Sequence, residues 1–271
     1  MPDPAIAPLK PPLKWAGGKR WLVPKLQGLV QGLDYDRLVE PFCGGLAVTL
    51  SLKPRRALLN DINPHLINFY QQVKAGLKVT IPLENDPDLY YQYRQAFNQT
   101  DLPSALSAQY FYYLNRTGFN GLCRFNSKGE FNVPFGRYKA IHYRHDFLDY
   151  FQLFQDYQFC LGDFDQLTVT TQDLIYADPP YDVEFRQYAK EGFTWDDQVR
   201  LAHWLAAANG PVIASNQATP RILELYQSLG FQVVTCLAPR RISCNGDRQP
   251  ALEMIATKGI NQGWEIAFQT S

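Results

Sequence analysis

The residues with the clearest chemical content are Ala177-Asp178-Pro179-Pro180-Tyr181, which follow the apolar run Leu174-Ile175-Tyr176. This reads as a strand delivering an acid, two prolines and an aromatic to its carboxyl end, where ligands bind in open α/β sheets. Such a set suits methylation of an exocyclic amine. An amino group on adenine or cytosine is a poor nucleophile, because its lone pair is delocalised into the ring. A carboxylate and a carbonyl, each accepting one of its two N–H bonds, push electron density back onto the nitrogen. Proline suits the carbonyl role, since it fixes φ and brings no N–H to compete. Tyr181 offers a face on which a base can stack. Asp-Pro-Pro also ends strands and opens loops with no chemistry attached, so the motif has to be weighed with its surroundings.

The elements around it alternate. Arg37 to Phe42 is strand-like and leads into Gly44-Gly45 and a helix-like Leu46 to Leu52. A second strand, Ala57 to Asn60, ends in Asp61; Asn63 then caps a helix with Pro64 at its first position and Leu66, Ile67, Tyr70 and Val73 at helical spacing. Strand, glycine turn, helix, strand and acid in that order form a cofactor-binding βαβ pattern. Alternation resumes late in the chain. It has strands at Tyr157–Leu161 and before Asp178, and a helix from Trp195 to Ala208 capped by Thr194. Strand Pro211–Ser215, helix Pro220–Ser228 and strands near Phe231–Cys236 and Ala251–Thr257 follow.

The middle, from about Thr80 to Tyr150, is rich in Tyr, Phe and Asn, and its long periodic stretch is Ala105 to Leu114. Turn residues at Asn120-Gly121 and Ser127-Lys128-Gly129 point to a β-hairpin or ordered loop between Gly118 and Gly136. The expected fold class is therefore α/β, a Rossmann-like sheet flanked by helices with an inserted, mainly helical module carrying a hairpin. Residues 1–63 and 145–271 form the sheet domain, and 64–144 the insertion.

Composition narrows the setting. The 271 residues carry a formal net charge of +0, which excludes a protein that is basic throughout, yet the charge is uneven. Lys10, Lys14, Lys19, Arg20 and Lys25 occur with no acid among them; Arg116, Arg124, Lys128, Arg137, Lys139 and Arg144 face Glu130 alone. Two basic stretches in a neutral chain are the makings of a nucleic-acid face, or of two solvated surfaces. The five cysteines are scattered without a CxxC pair, implying a reduced, cytoplasmic protein with no structural metal. No apolar run reaches transmembrane length, and the proline-rich start is no signal peptide, so no membrane role is expected.

Several separated motifs now agree. Lys14-Trp15-Ala16-Gly17-Gly18-Lys19, Glu40-Pro41-Phe42-Cys43-Gly44-Gly45, Asn60-Asp61-Ile62-Asn63, Gly162-Asp163-Phe164 and the Asp178 motif stand in that order. With Leu114 to Arg124 and Gly129 to Tyr138, they closely resemble the Dam-type (D12 class, α group) DNA adenine-N6 methyltransferases, from about Lys14 to Lys258. The resemblance implies S-adenosylmethionine as cofactor, held by Trp15, Ala16, Gly17, Lys19, Phe42, Gly44, Asp61, Ile62, Asp163, Phe164 and Asp178. Glycine backbone and a lysine suit the methionine carboxylate, Asp61 the ribose hydroxyls, and Asp163 the adenine amine. It implies catalysis by Asp178, Pro179 and Tyr181. One departure stands out: the family's first motif carries a second glycine two positions after the first, and here that place holds Leu46.

For DNA, the resemblance implies base flipping. Phe119 and Asn120 fall at the wedge and orphan-base positions. Arg124 falls where guanine is read through O6 and N7, and Leu122 and Pro134 where a thymine methyl is met. Arg116 and Arg137 match phosphate clamps, and Lys14 an outer-guanine contact. Together these match the GATC-recognising subset. Arg240 to Gly246 reads equally as a phosphate-contacting element or as a hairpin turn at Asn245-Gly246. The partner implied is double-stranded DNA, with no obligate protein partner and a monomer in solution. The alternatives are amine methylation of RNA or protein, and a DNA-binding relative that has lost catalysis.

Overall fold

The computed structural model describes residues 9–182, 192–238 and 251–260. Among them the helices are α1 (Val23–Val30), α2 (Ala47–Leu52), α3 (Pro64–Lys74), α4 (Pro87–Phe97), α5 (Ala105–Thr117), α6 (Leu148–Leu153), α7 (Trp195–Ala207) and α8 (Pro220–Ser228). The strands are β1 (Arg37–Glu40), β2 (Ala57–Asp61), β3 (Tyr157–Leu161), β4 (Asp173–Ala177), β5 (Val212–Gln217), β6 (Gln232–Ala238) and β7 (Ala251–Lys258). The strands make a seven-stranded sheet, and the mixed α/β class expected from the alternation holds. The chain divides into two compact units.

The sheet-bearing unit comprises 19–43, 54–62 and the described residues from 162 onward. Its strands run in the order β2-β1-β4-β5-β7-β6. β2, β1, β4 and β5 are parallel, whereas β7 lies antiparallel to both β5 and β6. Every residue of β4 is buried, as expected where helices cover both faces of a parallel sheet and the strand reads as one apolar run. Its single charged residue, Asp173, is held by the Arg37 guanidinium at 2.9 and 2.7 Å, which ties the starts of β1 and β4. The helix starts are set by local chemistry. Thr194 and Asp197 form a reciprocal capping box at α7, and Thr219 caps α8 ahead of Pro220.

The other unit comprises 9–18, 44–53 and 63–161, so residues 64–144 lie wholly within it. Asn63 caps α3 through the backbone N–H groups of His65 and Leu66, with Pro64 at the first position. α3 packs on α5 through aromatic rings: Phe69 stacks on Tyr112 at 6.0 Å, and Phe147 stands edge-on to both. α4, capped by Asp86, adds Tyr90, Tyr93 and Phe97 to this core. The expected hairpin takes a sparser form. Gly118 pairs with Phe135 and Phe125 with Phe131 as isolated antiparallel bridges, not continuous strands. The Asn126 side chain closes the turn by accepting from Lys128 N and Glu130 N.

Candidate active site and nucleic-acid interface

β4 ends at Ala177, and Asp178 emerges from the carboxyl edge of the sheet beside the point where strand order reverses between β1 and β4. Asp178 Oδ1 accepts from Lys19 Nζ at 2.9 Å and from Ser215 Oγ at 2.9 Å. Oδ2 of Asp178 and the Pro179 carbonyl receive no hydrogen bond among the described residues. Lys19 is almost fully buried; its ammonium lies 3.9 Å from Glu253 and 4.6 Å from the centre of the Tyr181 ring. The Tyr181 hydroxyl donates to Glu253 at 2.7 Å. Burial lifts the Tyr181 phenol well above its ordinary pKa, and the charges of Asp178 and Glu253 lift it further, so it stays a neutral donor. Tyr176, beneath them on β4, exchanges a 3.2 Å hydrogen bond with Ser215.

The other strand ends converge through Asn60. Its amide donates to the carbonyls of Pro41 and Gly162, each at 3.0 Å, while its own carbonyl accepts from Cys43 N. This sets Phe42, Asp61 and Asp163 on neighbouring strand ends. Ile62 is 76% exposed, an apolar side chain left open at the carboxyl edge. Phe42 packs on Phe164 at 5.7 Å and on Phe193 at 5.4 Å. Both carboxylate oxygens of Asp163 accept from Arg200 at 2.8 Å, and the guanidinium lies 4.3 Å over the Phe164 ring. Those hydrogen bonds pull the Asp163 carboxyl down to about 2. An acid at the edge, an exposed aliphatic and a phenylalanine pair offer an acceptor and apolar faces that fit the ribose and adenine of an adenosyl cofactor.

The remaining cofactor candidates sit in the other unit. Trp15 lies directly on the glycine turn: a Cβ on Gly44 would stand 2.8 Å from the indole nitrogen, and one on Gly45 would stand 2.9 Å from Trp15 Cβ. Ala16 and Gly17 are exposed beside it, Gly17 at φ +77°. Leu46 takes the left-handed conformation, φ +60°, with its side chain fully buried. The departure from the family pattern therefore falls where glycine would be conformationally free, and this chain adopts the glycine-like backbone with leucine.

The DNA candidates also belong to that unit. Phe119 is 48% exposed and Asn120 sits at φ +52° on the adjoining turn. Arg124, Pro134 and Arg137 are exposed, and Leu122 and Arg116 half-buried. Arg124 is braced by Asn132, its Nε donating to Oδ1 at 2.7 Å. Lys14 points inward: its ammonium donates to the Arg116 carbonyl at 2.7 Å and lies 3.5 Å over the Tyr138 ring. Its side chain crosses Gly121, where a Cβ would collide with it. The element read at Arg240 to Gly246 lies outside the described residues.

Sequence reasoning missed Glu253, Ser215, Gln198 and Arg200. None lies within a local motif; each acts on Asp178, Tyr181, Pro180 or Asp163 from a later strand or helix. Glu253 carried one readable signal, a lone acid in the apolar run Ala251 to Ala256.

The profile of the D12 class N6 adenine-specific DNA methyltransferases matches residues 15–240, and the chain belongs to that family. It is similar to the DNA adenine methylase of Vibrio cholerae, 39% identical over 254 residues that cover 86% of this chain and 90% of that protein. It is 37% identical to the DNA adenine methylase of Escherichia coli K12, covering 90% and 93%. It is also 37% identical to the retron Ec67 DNA adenine methylase of Escherichia coli, covering 91% and 90%. The protein is thus an enzyme, an adenine-specific DNA methyltransferase. Among the described residues no helix is long and apolar enough to cross a membrane.

Proposed function

We propose that the enzyme methylates N6 of adenine in GATC sites of double-stranded DNA, on a base flipped out of the duplex, with S-adenosylmethionine as donor. It does so as a cytoplasmic monomer, with residues 64–144 as its target-recognition domain. The observation that carries the reading is the division of labour on Asp178. Lys19 and Ser215 occupy one carboxylate oxygen, which leaves the other, with the Pro179 carbonyl, to accept the two N–H bonds of the amine. Both acceptors draw the protons outward and localise the lone pair on nitrogen.

When bound, S-adenosylmethionine supplies an electrophilic methyl carbon on a sulfonium. Lys19, Trp15, Ala16, Gly17 and Gly44 hold its methionine end. Asp61 takes the ribose, and Ile62, Phe42, Phe164 and Asp163 take the adenine. The N6 amine, held by the Asp178 carboxylate and the Pro179 carbonyl, would accept that methyl group and release its surplus proton to solvent. The step needs no covalent enzyme intermediate and no metal; positioning and oriented acceptors supply the rate. Tyr181 stacks the flipped base, and Phe119 and Asn120 occupy the gap. Arg124, Leu122 and Pro134 read GATC, with Lys14, Arg116 and Arg137 on flanking guanine and phosphates.

Single-molecule sequencing of DNA from a methylation-deficient host expressing this chain tests the reading. The expected result is N6-methyladenine confined to GATC, abolished by Asp178→Ala. Another motif would overturn the roles of Arg124, Leu122 and Pro134. Full activity in Asp178→Ala would overturn the role of the carboxylate.

A further inference from the structure

We propose that Gln198, with Asn216 behind it, is a positioning residue that aims the Pro179 carbonyl at the target amine. The proposal rests on the reading of Asp178 and Pro179 given above. Gln198 is 1% exposed on α7, and Asn216 is fully buried on β5. A buried primary amide is costly unless its donors and acceptor are met, so what these two side chains bond to shows what they hold.

Gln198 Nε2 donates to the Pro180 carbonyl at 2.8 Å. Its Oε1 accepts from Asn216 Nδ2 at 2.9 Å, and Asn216 Oδ1 accepts from Asp182 N at 3.3 Å and Gln217 N at 2.8 Å. The relay thus grips the loop after β4 at two backbone points, one on each side of Tyr181. Beyond it, Asp182 is fixed by Thr219 Oγ1 at 3.2 Å and by the Arg221 guanidinium.

The consequence lies one peptide upstream. Prolines at 179 and 180 have fixed φ and contribute no N–H groups, so this stretch offers the protein carbonyls as its only backbone hydrogen-bonding handles. Of the two, the Pro180 carbonyl is held by Gln198 and the Pro179 carbonyl is not held by any described residue. Fixing the first removes it as a competing acceptor and sets the direction of the second. Neither amide hydrogen-bonds to the carboxylate of Asp178. Their effect is confined to the carbonyl and to the ring that follows it.

The test uses purified full chain, tritium-labelled S-adenosylmethionine and genomic DNA from a methylation-deficient host. Gln198→Met keeps the volume and removes both hydrogen bonds. The expected single-turnover rate falls about tenfold or more, in line with the sensitivity of transfer to misplacement. Dissociation constants for cofactor and DNA stay within about twofold, since the relay acts on orientation and not on uniform binding. A folded Gln198→Met enzyme with an unchanged rate would overturn the proposal, as would a loss of cofactor affinity in proportion to the rate. If Gln198→Met fails to fold, Gln198→Glu, which keeps the acceptor for Asn216 and opposes the Pro180 carbonyl with charge, is judged by the same split. Failure of both to fold overturns it, because the amide would then serve the fold and not the carbonyl. A wild-type enzyme inert on this DNA would instead remove the reading of Asp178 and Pro179, and this proposal with it.

Discussion

Asn115 grips Lys14 by both of its backbone groups, 101 residues away in sequence: Lys14 N donates to Asn115 Oδ1 and Asn115 Nδ2 donates to Lys14 O, each at 2.8 Å. Asn115 is 1% exposed, so the pairing is partly shielded from water. Asn115→Leu leaves the backbone donor and acceptor of half-buried Lys14 without this partner. Urea unfolding should show a loss of about 2 kcal/mol, the scale of unmade buried hydrogen bonds. An unchanged midpoint would show that Lys14 is held by its side chain alone.

Lys14 itself titrates early. Burial, and then the charge of Arg116, bring its ammonium from 10.5 down to about 8. The folded state therefore binds fewer protons than the unfolded chain between those values. Stability from this group is lowest below about pH 8 and grows as pH rises towards 10.5. On the proposed reading that Lys14 meets DNA, binding should run the other way, because the cation is lost over the same range. Anisotropy titrations from about pH 7 to 9 should show wild-type affinity falling and Lys14→Met affinity flat.

Arg200 governs Asp163 in the same electrostatic terms. The two hydrogen bonds from Arg200 hold the carboxyl near 2 against an ordinary 3.8. Stability from the pair is present above 3.8 and is lost as pH falls towards 2. In Arg200→Ala, NMR titration of the Asp163 carboxyl should return it towards 3.8, and on the proposed role of Asp163 towards the adenine, cofactor affinity should weaken. A midpoint that stays near 2 would assign the shift to the Asp165 backbone.

Glu253 orients Tyr181. Tyr181→Phe loses only the 2.7 Å hydrogen bond and should lower turnover about threefold to tenfold, on the scale of one ordinary hydrogen bond. Glu253→Gln should act similarly, and adding it to Tyr181→Phe should cost little more if the two work through one bond. Additive losses would mean that Glu253 serves Lys19 separately.

Leu46 sets a conformational cost against a burial gain. A left-handed leucine costs about 1–2 kcal/mol, whereas its fully buried side chain contributes about 2–3 kcal/mol. Wild type should be the most stable, Leu46→Gly next, and Leu46→Ala the least, since alanine keeps the strained backbone and loses the packing. Urea midpoints give the order, and a glycine variant more stable than wild type would show that the backbone cost dominates.

Elements with local punctuation were legible. Helix α8 begins and ends where Thr219, Pro220 and Ser228 mark it, α7 starts at Thr194, and α3 starts at Asn63-Pro64. Helix α1 was not legible, because its preceding residue, Leu22, offers no side-chain cap. Helix α4 had its signals in Asp86 and Pro87, but Tyr90, Tyr91 and Tyr93 blur the apolar stripe. The chemical motif residues lie at strand ends, where spacing is informative. Their supports do not: Glu253 reaches Tyr181 across 72 positions, and Arg200 reaches Asp163 across 37. Nothing in a local pattern records such pairings.

The antiparallel strand β7 has a consequence for how the enzyme comes into being. It is wedged between β5 and β6, and it brings Glu253 to Tyr181 and Lys19. During synthesis it leaves the ribosome after the other strands of the sheet among the described residues. Until then β5 presents an open edge, the kind of surface that recruits other chains. The reactive centre lacks its second carboxylate over the same interval. Catalytic competence and protection from aggregation therefore arrive together, in one pairing event.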